Sequence, residues 1–166
     1  MKANIKIAEA DFEHLRTLLL RDAPEESAAF VLAGVARHGG TETLLARRVI
    51  EIPREMYRIK GSVHLDISPQ AINGLVALCE ANRLGVILCH SHPGHREGLN
   101  YSPSDDHGEG RIAETLRKFL PDVPVGSLIV SENAIRGRVW PAGRGSKAAD
   151  QLIVLPGPQE AGSVVR

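Results

Sequence analysis

The hydrophobic pattern alternates between two periods along the chain. Asn4–Ala8 reads as a short strand, and Asp11–Arg21 places Phe12, Leu15, Leu18 and Leu19 at helical spacing. Asp22-Ala23-Pro24 breaks that helix. Ala28–Arg37 is a mostly apolar run that fits strand or helix, and its length and the His38-Gly39-Gly40 turn favour strand. Thr41–Ile52 returns as a second strand, completing a hairpin. Tyr57, Ile59, Val63 and Leu65 predict a further extended stretch interrupted at Gly61.

Ser68-Pro69 is a helix start, serine as N-cap and proline at the first position. Ile72, Leu75, Val76 and Cys79 form the buried stripe of that helix, which ends before Leu84-Gly85. Gly85–Cys89 reads as a short buried strand. Asp105–Leu120 is a third helix, with Ile112, Leu116 and Leu120 inward and Pro121 as its stop. Gly126–Ser131 and Ala134–Trp140 pair around Glu132-Asn133. Leu152–Leu155 adds an edge strand, and Gly157–Arg166 is expected to fray. The fold class expected is α/β (α+β): a mixed β-sheet flanked by helices in one domain over residues 1–145, with 146–166 as an edge strand and flexible tail.

Composition narrows the function classes. Apolar residues make up 43% of 166, enough for one globular core. Twenty basic residues balance twenty acidic ones, so no electrostatic footprint for nucleic acid or an anionic membrane is expected. The longest apolar run near the start, Leu18–Leu20, is bracketed by Arg16 and Arg21. It resembles neither a signal core nor the roughly 20 apolar residues of a membrane span. Cytoplasmic residence is the expectation. Two cysteines, Cys79 and Cys89, are too few for a disulfide framework.

The chemistry concentrates in His90–Asp106, HSHPGHREGLNYSPSDD. His90 and His92 lie two residues apart where a strand runs out, so both imidazoles share a face while Cys89 and Ser91 take the other. Asp105 follows in the first turn of the next helix, whose N-terminus favours a carboxylate anion. Two imidazoles and a carboxylate are three metal ligands, which is the catalytic pattern for zinc, leaving the fourth position to water. The spacing alone leaves plainer readings open: histidines on the surface, and Ser102-Pro103-Ser104-Asp105 as a capping box. His107 is expected on another helical face, His95 in a solvated loop, His64 as structural, and Trp140 as a packing residue.

His90-Ser91-His92-Pro93 with Ser102-Pro103-Ser104-Asp105 resembles the JAMM motif of the JAB/MPN domains. The third part of that motif, a glutamate before an apolar strand, is similar to Glu25-Glu26-Ser27-Ala28-Ala29-Phe30-Val31-Leu32. The resemblance spans roughly residues 5–140. It implies a JAB1/MPN-like (cytidine deaminase-like) fold and a zinc ion on His90, His92 and Asp105. It also implies Glu26 as general base, with Glu25 as the reserve, and Ser102 as the oxyanion donor. Nine residues, Pro93 to Tyr101, separate His92 from Ser102, more than the family's commonest spacing, and Ala28 and Ala29 stand where glycines are usual.

The implied activity is an isopeptidase or peptidase cleaving after the C-terminal glycine of a ubiquitin-like protein. The setting implied is a bacterial ubiquitin-like conjugation system, including anti-phage defence. The alternatives are processing of a sulfur-carrier protein or another small peptide or amide, and a metal-free MPN scaffold. Scaffold members tend to lose the ligands, whereas all five positions are present here.

Overall fold

The computed structural model of the protein describes residues 2–95, 98–141 and 147–157. Strand β1 (Lys2–Ala8) leads into helix α1 (Glu9–Leu20), and the hairpin β2 (Ala28–His38) and β3 (Thr41–Glu51) follows. A short 3-10 turn, Arg54–Met56, precedes β4 (Tyr57–Lys60) and β5 (Leu65–Ile67). Then come α2 (Pro69–Asn82), β6 (Gly85–Ser91), α3 (Pro103–Phe119), β7 (Val125–Val130) and β8 (Ile135–Trp140). Two last strands, β9 (Lys147–Ala148) and β10 (Gln151–Leu155), close the described chain. The expected frayed end lies outside the described residues from 158 onward.

Eight strands form one mixed sheet in the order β10-β1-β3-β2-β6-β7-β8-β9, and β4 and β5 form a separate pair. The α+β class, a mixed sheet with helices on both faces, is therefore as expected. One face carries α1, whose Leu15, Leu18 and Leu19 pack on Ile5, Ile7, Val31 and Ile87. The other carries α2 and α3, whose Leu75, Val76, Cys79, Ala113 and Leu116 pack on Phe30, Leu32 and Leu88. Central strands covered on both sides lose the alternation that marks a half-exposed strand. This explains the unbroken burial of Ala28–Gly34, Gly85–Ser91 and Val125–Val130.

Helix boundaries follow their caps. The Ser68 side chain accepts from Ala71 N–H at 3.3 Å, with Pro69 at the first position of α2. That helix ends at Arg83 in the left-handed region, φ 51°, with Leu84 N–H returning to the Cys79 carbonyl. α3 starts at Pro103, two residues before the expected Asp105, because Ser102 takes the capping position. The stretch around Gly61 differs more: it is a hairpin, and Val63 sits in its turn, 87% exposed, instead of in a strand.

The sheet curls until its margins approach. Ala149 N–H donates to the Gly137 carbonyl of β8 at 3.1 Å, and Asp150 N–H donates to the Ala3 carbonyl of β1 at 2.7 Å. The Asp150 carboxylate also accepts from Ala3 N–H at 2.5 Å. One short segment thereby bridges strands that lie far apart in the sheet order. Among the described residues, no helix is long and apolar enough to cross a membrane.

Candidate metal centre

β6 and β7 run parallel, so α3 is the crossover between them. Ligand sites in α/β sheets gather beyond the carboxyl ends of such strands. His90 and His92 lie there, 7% and 5% exposed. Val86 and Leu88 face α2 and α3, so period two carries His90 to the same side, while Ile87 and Cys89 enter the core under α1.

The β2–β6 register adds a third residue. Ala28 pairs with His90, and Ser91 N–H donates to the Ser27 carbonyl at 2.9 Å, continuing the ladder. One step further sets Glu26 across from His92, and parity puts it on the His90 face. Glu26 is 9% exposed. Among the described residues its carboxylate has no hydrogen-bond donor, and burial raises its pKa against the opposing pull of His92 and His90. Glu25 is placed differently, in ion pairs with Arg54 at 3.3 Å and Lys60 at 3.6 Å.

Asp105 arrives on the first turn of α3. Ser102 Oγ accepts from Asp105 N–H at 3.1 Å, and Asp105 Oδ2 accepts from Ser102 N–H at 2.6 Å, a reciprocal capping box. The cap aims the carboxylate at the histidines. Its Oδ1 lies 3.2 Å from His90 Nε2 and its Oδ2 3.3 Å from His92 Nε2, while the two Nε2 atoms are 3.1 Å apart.

The donor set fits a cation. His90 Nδ1 lies 3.2 Å from Glu109 Oε1, so a neutral His90 carries its proton there and turns a bare Nε2 lone pair toward His92 and Asp105. Two imidazole lone pairs and a carboxylate meeting in a buried space repel unless a proton or a metal ion lies among them. Without a metal the proton wins: burial disfavours the charged ring, but hydrogen bonds to Asp105 and Glu109 outweigh it and push the His90 pKa up to about 9. Burial likewise opposes ionisation of Asp105, yet its hydrogen bonds with His90 and His92 hold it well below the usual carboxylate range. Ligand atoms of His90, His92 and Asp105 lie within 4.8 Å of one another, and the group could hold a metal ion.

The other histidines separate from this group. His107 and His95 are exposed, although the His95 ring lies 5.2 Å from that of His92. His64 is exposed in the β4–β5 turn, where its carbonyl accepts from Gly61 N–H at 3.0 Å, and its charge acts on Glu26. Trp140 is buried with Arg138 over its ring at 4.7 Å. Glu109, one helical turn past Asp105, is the residue that sequence reasoning missed. The i, i+4 spacing on α3 was its available signal.

Compared with known protein families and with curated proteins, the chain matches none. Among solved structures it is similar to the solution structure of protein DSY2949 from Desulfitobacterium hafniense. The TM-score is 0.52 and the identity 18%, over 92% of this chain and 94% of that one, a likeness of fold.

Proposed function

We propose that this chain is a zinc-dependent isopeptidase of the JAB/MPN type, cleaving after the C-terminal glycine of a ubiquitin-like protein. The convergence of His90, His92 and Asp105, with the buried Glu26 carboxylate across the ladder from His92, carries this reading. The separations of 3.1, 3.2 and 3.3 Å among the facing ligand atoms support zinc, since bonds of about 2.0–2.1 Å in a tetrahedron give edges of about 3.3 Å.

Zinc, when bound by these three residues, supplies a Lewis acid that lowers the pKa of water and polarises a carbonyl. Glu26 takes a proton from the attacking water and returns it to the leaving amine nitrogen as the C–N bond breaks. Raised by burial, its pKa moves toward the operating pH, where a general base works best. Ser102 Oγ is occupied as an acceptor by the helix cap, but its hydroxyl proton has no acceptor among the described residues and is free to donate to the developing oxyanion.

An extended glycine-ended tail would reach this site by adding to a strand edge. β4 supports that route. Among the described residues it pairs with β5 alone, and the Gly61 carbonyl just beyond it accepts from Glu26 N–H at 2.8 Å. The described parts of the loop that follows His92, residues 93–95 and 98–101, are the proposed opposite wall; residues 96 and 97 lie outside the described residues.

The test is metal content followed by cleavage. Elemental analysis should find about one zinc per chain. Fusions of a ubiquitin-like protein to unrelated partners should be cut at rates within about tenfold of each other, because the tail side is the one recognised. A chelator should stop the reaction. Cleavage of short peptides or small amides alone would remove the ubiquitin-like substrate while leaving the hydrolase; a protein without bound metal would remove both.

A further inference from the structure

Behind the metal centre stands a polar group with no part in the reaction proposed above. Glu109 is 7% exposed, beneath His90. A carboxylate at that depth persists only if its oxygens are matched by donors. Its Oε2 accepts from Arg138 Nε at 3.0 Å and Nη2 at 2.6 Å, a forked pair. Its Oε1 accepts from Ser127 Oγ at 2.7 Å and faces His90 Nδ1 at 3.2 Å.

The clamp is itself held. Arg138 also pairs with Asp106, and its guanidinium lies 3.7 Å over the Tyr101 ring. Tyr101 donates its hydroxyl proton to the Ser127 carbonyl at 3.1 Å. Strands β7 and β8 and helix α3 thus fix one carboxylate from three directions. His92 has no equivalent support among the described residues, where its buried Nδ1 has no hydrogen-bond partner.

A neutral imidazole has one ring proton, and the ring nitrogen that meets a fixed acceptor keeps it. We propose that Glu109 is a positioning residue: clamped by Arg138 and Ser127, it holds His90 in the Nδ1–H tautomer and the orientation that turns Nε2 to a divalent ion. The assignment rests on the metal-centre reading. It makes His90 the better ordered ligand of the two, and it gives Arg138 a purpose at the centre without touching it.

Full-length protein with Glu109→Gln keeps the side-chain volume and an acceptor oxygen while removing the charge. Zinc affinity, read by competition with a chromogenic chelator at a temperature where circular dichroism shows a folded chain, should fall about ten- to a hundredfold. In the zinc-loaded wild type, NMR should show the His90 Nδ1 proton protected from exchange; in Glu109→Gln it should shift upfield and exchange faster. A merely structural role would lower the melting temperature and move neither readout. Wild type that binds zinc, with folded Glu109→Gln within about twofold of its affinity, overturns the assignment alone. Wild type that coordinates through His90 Nδ1 also overturns it, and this measurement stands even where the variant fails to fold. Wild type with no affinity for zinc or another divalent ion overturns the metal reading and this assignment together.

Discussion

Glycine at position 102 separates helix capping from chemistry. Ser102 Oγ accepts from Asp105 N–H at 3.1 Å, while the other half of the box, Ser102 N–H to Asp105 Oδ2 at 2.6 Å, uses backbone alone on the Ser102 side. That half survives any side chain at 102 other than proline, which has no N–H to donate. Alanine in place of a capping serine costs about 1 kcal/mol, and glycine only a few tenths. Losing one donor to an oxyanion costs about 3–4 kcal/mol, or roughly 100- to 1,000-fold in kcat. Ser102→Gly should therefore unfold in urea within about 0.5 kcal/mol of wild type. Its kcat should fall by two to three orders of magnitude, on the order of 100- to 1,000-fold. Ser102→Ala should lose both stability and rate, and Ser102→Thr should keep both hydroxyl functions. The assay is release of a fluorogenic amine from the C-terminal amide of a ubiquitin-like protein, with zinc content measured on the same samples. A folded, zinc-loaded Ser102→Gly within about threefold of wild-type kcat would reduce Ser102 to a cap.

Three further outcomes are expected. Glu26→Gln should lower kcat about 100- to 10,000-fold with zinc retained, since the role proposed for Glu26 is to move a proton and not to ligate; rate loss in Glu25→Gln instead would shift the base to Glu25. In metal-free protein, the His90 pKa of about 9 stands above the ordinary value near 6.5. Its stabilisation is therefore complete below about pH 6.5 and lost as pH rises through about 9, a change on the order of 3 kcal/mol; denaturation in chelator that is flat across that window would refute it. Gly126→Ala should destabilise by about 1–3 kcal/mol, because its Cβ would lie 2.8 Å from Leu44 Cδ1 and 3.1 Å from Ile87 Cγ1, both fully buried side chains; an unchanged urea midpoint would count against that packing.

His90 and His92 were legible because two residues is the period of a strand, and Asp105 because serine and proline announce a helix start. These signals are local. Glu109 was not, because its meaning depends on Ser127 and Arg138, which the β7–β8 pairing brings beneath α3. Val63 misled for a related reason: an exposed valine in a turn carries the same letter as one in a strand, and the β4–β5 pairing that makes the turn is read only in three dimensions. The choice between Glu25 and Glu26 needed register, since adjacent strand residues point to opposite sides. The β2–β6 ladder sends Glu26 toward the histidines and leaves Glu25 to Arg54 and Lys60.

The parallel pairing of β1 with β10 sets Asn4 beside Gln151 and Ala8 beside Leu155. A load applied at the amino end of β1 and the carboxyl end of β10 pulls the two strands in opposite senses along a common axis. Their backbone hydrogen bonds then share the force, instead of parting one after another as they do when a hairpin is opened from its free end. Asp150 adds its grip on Ala3 to the same seam. Resistance to pulling is a matter of unfolding rate and direction, separate from equilibrium stability. A machine that unravels this chain by drawing on the carboxyl end of β10 would meet it in shear, its mechanically stiffest direction, before reaching the group formed by His90, His92 and Asp105.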